Sequence, residues 1–132
     1  MTGLVIVAHA ALAAELLRAA EMIVGPIEGA AAVGIQPSDS VEAIRDALTA
    51  AIEGVSDEGV IIMTDMFGGT PSNMSLSFLE DNRVEVLTGV NLPMLIKFAN
   101  DRQRCSVAEL AAGIKECGRE GVTVAGDYLK KC

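Results

Sequence analysis

Leu4-Val5-Ile6-Val7-Ala8-His9 is an unbroken apolar run ended by the chain's single histidine, and Ala11-Leu12-Ala13-Ala14-Glu15-Leu16-Leu17 follows it at helical spacing. A short aliphatic run that gives way to a 3.6-residue period is the pattern of a strand buried on both faces and feeding a helix. That pair is the repeating unit of a parallel α/β sheet. His9 falls at the junction, at the carboxyl end of the strand. There such sheets open onto a ligand crevice, and the next helix turns unpaired amides and the positive end of its dipole outward.

The same punctuation recurs further on. Gly59-Val60-Ile61-Ile62-Met63-Thr64 reads as another strand; it ends on Asp65 and is followed by Met66-Phe67-Gly68-Gly69-Thr70-Pro71. Between the two runs, Leu12, Leu16, Ala19 and Ile23 predict the packed stripe of a first helix, stopped by Gly25-Pro26. Ala31 to Ile35 reads as a short second strand. Pro37-Ser38-Asp39-Ser40 then turns the chain, and Asp39 and Glu42 stand at capping-box spacing before a helix on Val41, Ile44, Leu48 and Ile52.

Beyond Asp65, Thr70 is the expected N-cap and Pro71 the first residue of a third helix that packs through Met74, Phe78 and Leu79. Val84 to Gly89 predicts a fourth strand. Asn91-Leu92-Pro93 shapes the crevice wall and opens a helix carrying Met94, Leu95 and Phe98, which fades at Asn100-Asp101. Ser106 and Glu109 form a second capping box ahead of Val107, Leu110, Ile114 and Cys117, and Val122-Thr123-Val124 reads as a last short strand.

Strict alternation of this kind predicts a doubly wound, mainly parallel α/β sheet. Right-handed crossovers and the flavodoxin-like order 2-1-3-4 place the first and third strands side by side, where their connections leave to opposite faces. His9 and Asp65 then flank one crevice at level strand ends. A carboxylate so placed holds one imidazole nitrogen as N–H and leaves the other as a nucleophile. Taken singly, His9 reads as a strand terminator, Asp65 as a loop carboxylate, Gly68-Gly69 as a tight turn and Thr70 as a cap. Their convergence on one crevice shifts the reading to chemistry.

At 132 residues the chain fits one domain, residues 1–132, with enough length to bury a sizeable core. The formal net charge is -8 and the ten Lys and Arg are scattered, which argues against nucleic acid as a partner. No basic residue precedes Arg18, and no apolar stretch approaches bilayer-spanning length, so a cytoplasmic protein is expected. Cys105, Cys117 and Cys132, with one histidine, fit neither a disulfide framework nor a zinc site. Reduced thiols, no metal and no cofactor are expected.

Five segments also resemble a known family: Val5 to His9, Ala14-Glu15-Leu16-Leu17, Ala20 to Gly25, Asp65-Met66-Phe67-Gly68-Gly69-Thr70-Pro71-Ser72-Asn73 and Gly89-Val90-Asn91-Leu92-Pro93-Met94-Leu95. In this order, from about Leu4 to Val124, they resemble the mannose-class enzyme IIA components of the bacterial phosphoenolpyruvate-dependent sugar phosphotransferase system. The resemblance implies that His9 accepts a phosphoryl group from HPr and passes it to a IIB domain. It further implies that Asp65 holds the other imidazole nitrogen and that Thr70 lies beside the phosphoryl site. The enzyme would be a phosphotransferase with a phosphohistidine intermediate, reaching a membrane only through a IIC/IID transporter.

Physically, such transfer needs alignment and donors for the phosphoryl oxygens more than it needs a metal. The amides near Ala10 and Ala11 and those of the Phe67-Gly68-Gly69-Thr70 loop are the candidate cradle. Ala8 and Ala10 stand where the family often carries Thr or Ser and Gly, so one hydroxyl is lost and a methyl restricts the backbone after His9. The resemblance also implies a homodimer in which a terminal antiparallel strand, about Gly121 to Ala125, crosses to the partner. Two neighbouring functions share these residues: the phosphocarrier subunit of dihydroxyacetone kinase, and a regulatory phospho-acceptor without a transporter. A flavodoxin would want a hydroxyl-rich first loop, and a receiver domain an acidic pair after the first strand; His9-Ala10-Ala11 supplies neither.

Overall fold

Strands and helices alternate as the sequence predicts: β1 (Gly3–His9), α1 (Leu12–Val24), β2 (Ala30–Ile35), α2 (Val41–Val55), β3 (Val60–Thr64), α3 (Thr70–Leu76), β4 (Val84–Thr88), α4 (Leu92–Asp101), α5 (Val107–Glu120) and α6 (Ala125–Lys130). These come from a computed structural model that describes residues 1–56 and 58–130, so Cys132 lies outside the described residues. The four strands form one parallel sheet in the order β2-β1-β3-β4.

β1 is central, and Gly3 through Ala8 are all buried, which is why its sequence lacks polar alternation. Strand periodicity sorts its side chains. Leu4, Ile6 and Ala8 join Ile61 and Met63 under α1, α4 and α5, where Leu95, Phe98, Leu110 and Ile114 are also buried. Val5 and Val7 join Val60 and Ile62 on the opposite face, under Ile44 and Leu48 of α2. Helices thus cover both faces.

The buried stripe of α1 differs from the expected one by a residue. Ala13 and Ala20 are fully buried, with Leu16, Leu17 and Val24 packed beside them, whereas Leu12 and Ile23 are 45% and 59% exposed. Small residues let the helix lie close to the sheet, and that close approach turns the larger apolar side chains outward. In α2, Ile44 and Leu48 are buried as expected, but Val41 is exposed. The cap is Ser40, whose Oγ accepts the Ala43 amide, while Asp39 accepts the Gln36 amide and closes the turn after β2.

Thr70 is not an N-cap. Gly69 occupies that position, no side chain caps α3, and Thr70 and Pro71 are its first two helical residues. Met74 and Phe78 pack partly against the α2 side of the sheet, but Leu79 is exposed because α3 ends at Leu76. Asn91 caps α4 by accepting the Met94 amide and donates from its own side-chain amide to the Gly118 carbonyl, so its role is structural. The Ser106–Glu109 capping box forms as predicted. Cys105 and Cys117 are free, and the Cys117 thiol lies 3.6 Å from the Pro93 carbonyl oxygen.

The expected terminal strand is absent among the described residues. Residues 122–124 have no sheet partner, and the Asp127 and Tyr128 amides donate to the Val124 carbonyl, starting α6. Three β-prone residues with no neighbouring strand make no ladder, and the chain closes on its local helical bonds instead.

The edge strand β2 carries a constraint that its alanine-rich sequence conceals. A Cβ built on Gly34 would lie 2.4 Å from the Ala10 carbonyl oxygen. The turn after His9 therefore rests directly on β2. Gly34→Ala should lower stability by about 1–3 kcal/mol in urea unfolding; unchanged stability would show that the turn can move aside.

Candidate functional site

β1 and β3 pair in register Val7 to Thr64, so the ends of the two strands are offset rather than level: Asp65 continues opposite Ala8, and His9 stands one residue further on. The Asp65 side chain reaches across that offset. Its Oδ2 accepts the His9 backbone amide at 3.0 Å and pairs with the His9 ring nitrogen Nδ1 at 2.7 Å. One oxygen thereby fixes both the main chain and the ring of the same residue.

Burial alone would push the Asp65 carboxyl up, but the His9 amide and imidazole outweigh it and hold the group below its ordinary range. An ionised carboxylate only accepts, so Nδ1 carries the hydrogen in a neutral ring and Nε2 keeps its lone pair. The side chains are exposed unequally: 53% for His9 and 13% for Asp65. The anchor is enclosed and the reactive edge faces solvent.

The remaining sequence-derived candidates surround this pair. Gly69 lies against the ring, since a Cβ on it would sit 3.4 Å from His9 Cε1. Gly68 has φ of 86°, a left-handed turn that glycine makes without strain and that swings the loop back toward His9. Phe67 is 75% exposed and Met66 is also exposed, so neither packs into the core. Thr70 is exposed beside His9; relieved of capping, its hydroxyl has no competing local role.

Ala11 sits at the cap position of α1 with no side-chain bond, leaving the helix's first-turn amides without intrahelical acceptors. Ala10 differs from the expectation. Its amide donates to the Ile35 carbonyl at 2.9 Å, so it is spent on β2 and is not a donor for a cradle. Its φ is 53°, a left-handed conformation that costs a residue with a Cβ about 1–2 kcal/mol. The backbone restriction anticipated from the methyl group is thus present as strain directly after His9.

A groove of about 420 Å³ opens beside the ring, lined by His9, Ala10 and Thr70 together with Ile35, Gln36, Pro37, Asp39 and Ile44. The β2 and α2 residues escaped the sequence reading. The signal was the strand order itself, because a second strand beside the first delivers its following loop to the same crevice. Thr64 Oγ1, Ser72 Oγ and Asp65 Oδ1 are buried without a partner among the described residues.

Beside this geometry stands the chain's similarity to known proteins. A family model described as "PTS system fructose IIA component" matches residues 3–115. The fructose-specific EIIA component of Bacillus subtilis (strain 168) is 27% identical, over 99% of this chain and 91% of its own. The mannose-specific EIIAB component of Escherichia coli (strain K12) is 34% identical over 91% of this chain, which spans only 38% of that longer protein. A crystal structure of a phosphotransferase system EIIA component from Streptococcus agalactiae superimposes with a TM-score of 0.87 at 27% identity, over 96% of this chain and 99% of that one. The chain belongs to the mannose-class IIA family of the sugar phosphotransferase system, whose members are phosphotransferases. No helix among the described residues is long and apolar enough to cross a membrane.

The depressed Asp65 carboxyl has a signed consequence. Its contribution to stability is complete above the ordinary carboxylate range and is lost as pH falls through the folded-state value. In urea melts across pH, wild type should exceed Asp65→Asn most at neutral pH, and the gap should narrow as the solution is acidified below that range. A gap independent of pH would remove the ionised carboxylate from the site.

Proposed function

We propose that this chain is a phosphohistidine carrier that takes a phosphoryl group from HPr on His9 and passes it to a IIB domain of the mannose class. The observation that carries the reading is the 2.7 Å pairing of Asp65 with Nδ1, which leaves Nε2 free on an exposed ring edge. In the first step the Nε2 lone pair forms a bond to phosphorus while the phosphorus–nitrogen bond of the donor phosphohistidine breaks. The donor imidazole keeps that electron pair. Onward transfer is the same displacement in reverse, with His9 as leaving group.

During transfer the ring gains positive character, and the partly enclosed carboxylate beside Nδ1 stabilises it. The three phosphoryl oxygens need donors in front of Nε2. The first-turn amides of α1 after Ala11, the main chain of Phe67, Gly68 and Gly69, and the Thr70 hydroxyl are the groups we assign to them. Ala10 takes part as wall and turn, not as a donor.

The carrier would work in the cytoplasm as one IIA domain over residues 1–132, meeting a membrane only through a IIC/IID transporter. A homodimer completes the reading, because Val122, Val124, Tyr128 and Leu129 are all exposed beyond α5. Phosphoenolpyruvate, enzyme I and HPr should together place an acid-labile, base-stable phosphoryl group on the protein. His9→Ala should abolish that label, and Asp65→Ala should slow its appearance on the order of 10- to 100-fold while the chain stays folded. In sizing chromatography the intact chain should run as a dimer and a chain cut after Gly118 should not. A competent donor that leaves the protein unlabelled would contradict the phosphocarrier reading, and an unchanged dimer would contradict the terminal exchange.

A further inference from the structure

Directly before Asp65 in the chain, the structure encloses a hydroxyl that packing alone does not require. His9 shares its groove with Ile35 and Ile44, which belong to the face of the sheet that also buries Val5, Val7, Val60 and Ile62. By strand alternation Thr64 points to that same face, and its register partner Val7 lies two residues before His9. An aliphatic residue would continue the series; instead a hydroxyl stands there, with its residue fully buried.

The second hydroxyl comes from above. α3 packs against β1 and β3, and its buried residues are Pro71, Ser72 and Ser75. Ser75 satisfies itself by donating to the Pro71 carbonyl at 2.6 Å. Ser72 does not repeat that bond: the carbonyl four residues before it, Gly68, instead accepts the Asn73 side-chain amide at 3.3 Å. Ser72 Oγ and Thr64 Oγ1 are two donors and Asp65 Oδ1 an acceptor, each enclosed and each without a protein partner among the described residues. Enclosed polar atoms of this kind are normally bridged, and a water molecule with two to four polar neighbours is the usual bridge.

We propose that Thr64 Oγ1, Ser72 Oγ and Asp65 Oδ1 share one enclosed water molecule, which makes Thr64 and Ser72 positioning residues for the carboxylate that holds His9. The water accepts from the hydroxyls and donates to Oδ1, so both carboxylate oxygens are fixed: Oδ2 by His9 and Oδ1 by the bridge. Its catalytic consequence rests on His9 being the phosphoryl acceptor; its structural content does not. Neither hydroxyl touches the reacting atoms. They act by preventing the carboxylate from rotating away from Nδ1 between one partner's departure and the next partner's arrival.

The test uses the intact chain with Thr64→Val, Ser72→Ala and their combination, beside the conservative Thr64→Ser. Nitrogen-15 NMR of His9, recorded without any donor protein, should find the Nδ1–H tautomer dominant in wild type and in Thr64→Ser. The double variant should show a clear growth of the Nε2–H form. With HPr as donor, its transfer kcat should fall roughly tenfold while KM for HPr is unchanged. A crystal structure that orders internal solvent should place a water within bonding distance of all three oxygens.

A folded double variant with wild-type tautomer and kcat overturns the proposal, as does a crystal structure in which both hydroxyls bond to protein acceptors. If the double variant does not fold, Thr64→Val alone is read by the same criteria. The outcomes separate from those of the phosphocarrier reading. A tautomer shift in a protein that HPr never labels would retain the bridge and reject the carrier, whereas normal labelling without any tautomer shift would do the reverse.

Discussion

A single carboxylate oxygen, Asp65 Oδ2, holds the His9 amide and the His9 ring at once, and the rest of the structure can be understood as what keeps it there. A ring bond alone would leave the main chain of the turn free to shift. An amide bond alone would leave the imidazole free to flip. Because both converge on one atom, the orientation of the ring is coupled to the backbone of β1, a strand buried from Gly3 through Ala8. The coupling works only because β1 and β3 are neighbours with ends offset by one residue, a distance that an aspartate spans.

The turn that follows His9 shows the same economy of contacts. Ala10 takes a left-handed backbone, its amide is tied to Ile35, and its carbonyl sits so close to β2 that only glycine fits at position 34. Strain at one residue is held in place by bonds on either side. The result is an exposed ring edge between a groove on the β2 side and the Gly68-Gly69 loop on the β3 side. A protein surface can approach such an edge, whereas a deep pocket would exclude it.

Much of this was legible in the sequence, because a parallel sheet announces itself through aliphatic runs whose ends carry polar residues. The strand order, the Gly68-Gly69 wall of the site and the His9–Asp65 pairing follow from that alternation with crossover handedness, whereas the β2 wall does not. Packing distance was not legible: the alanines Ala13 and Ala20 bring α1 onto the sheet, and this sets the buried stripe where residue size alone would not. The α3 cap was misassigned because threonine before proline suits either of two positions, and Gly69 took the cap. The terminal strand depended on a partner strand that one chain does not supply. Thr64 and Ser72 do not stand out in the sequence, because a hydroxyl at a strand end or in the first turn of a helix reads as ordinary punctuation; only its enclosure distinguishes it.

In the proposed carrier, Asp65 occupies one imidazole nitrogen so that the other performs the transfer. Nitrogen-15 and phosphorus-31 NMR of the protein phosphorylated through HPr identifies which nitrogen bears the phosphoryl group. Phosphorus bonded to Nε2, with Nδ1 still protonated, is the expected result. Phosphorus on Nδ1 would contradict it, since that nitrogen could not then remain 2.7 Å from the carboxylate.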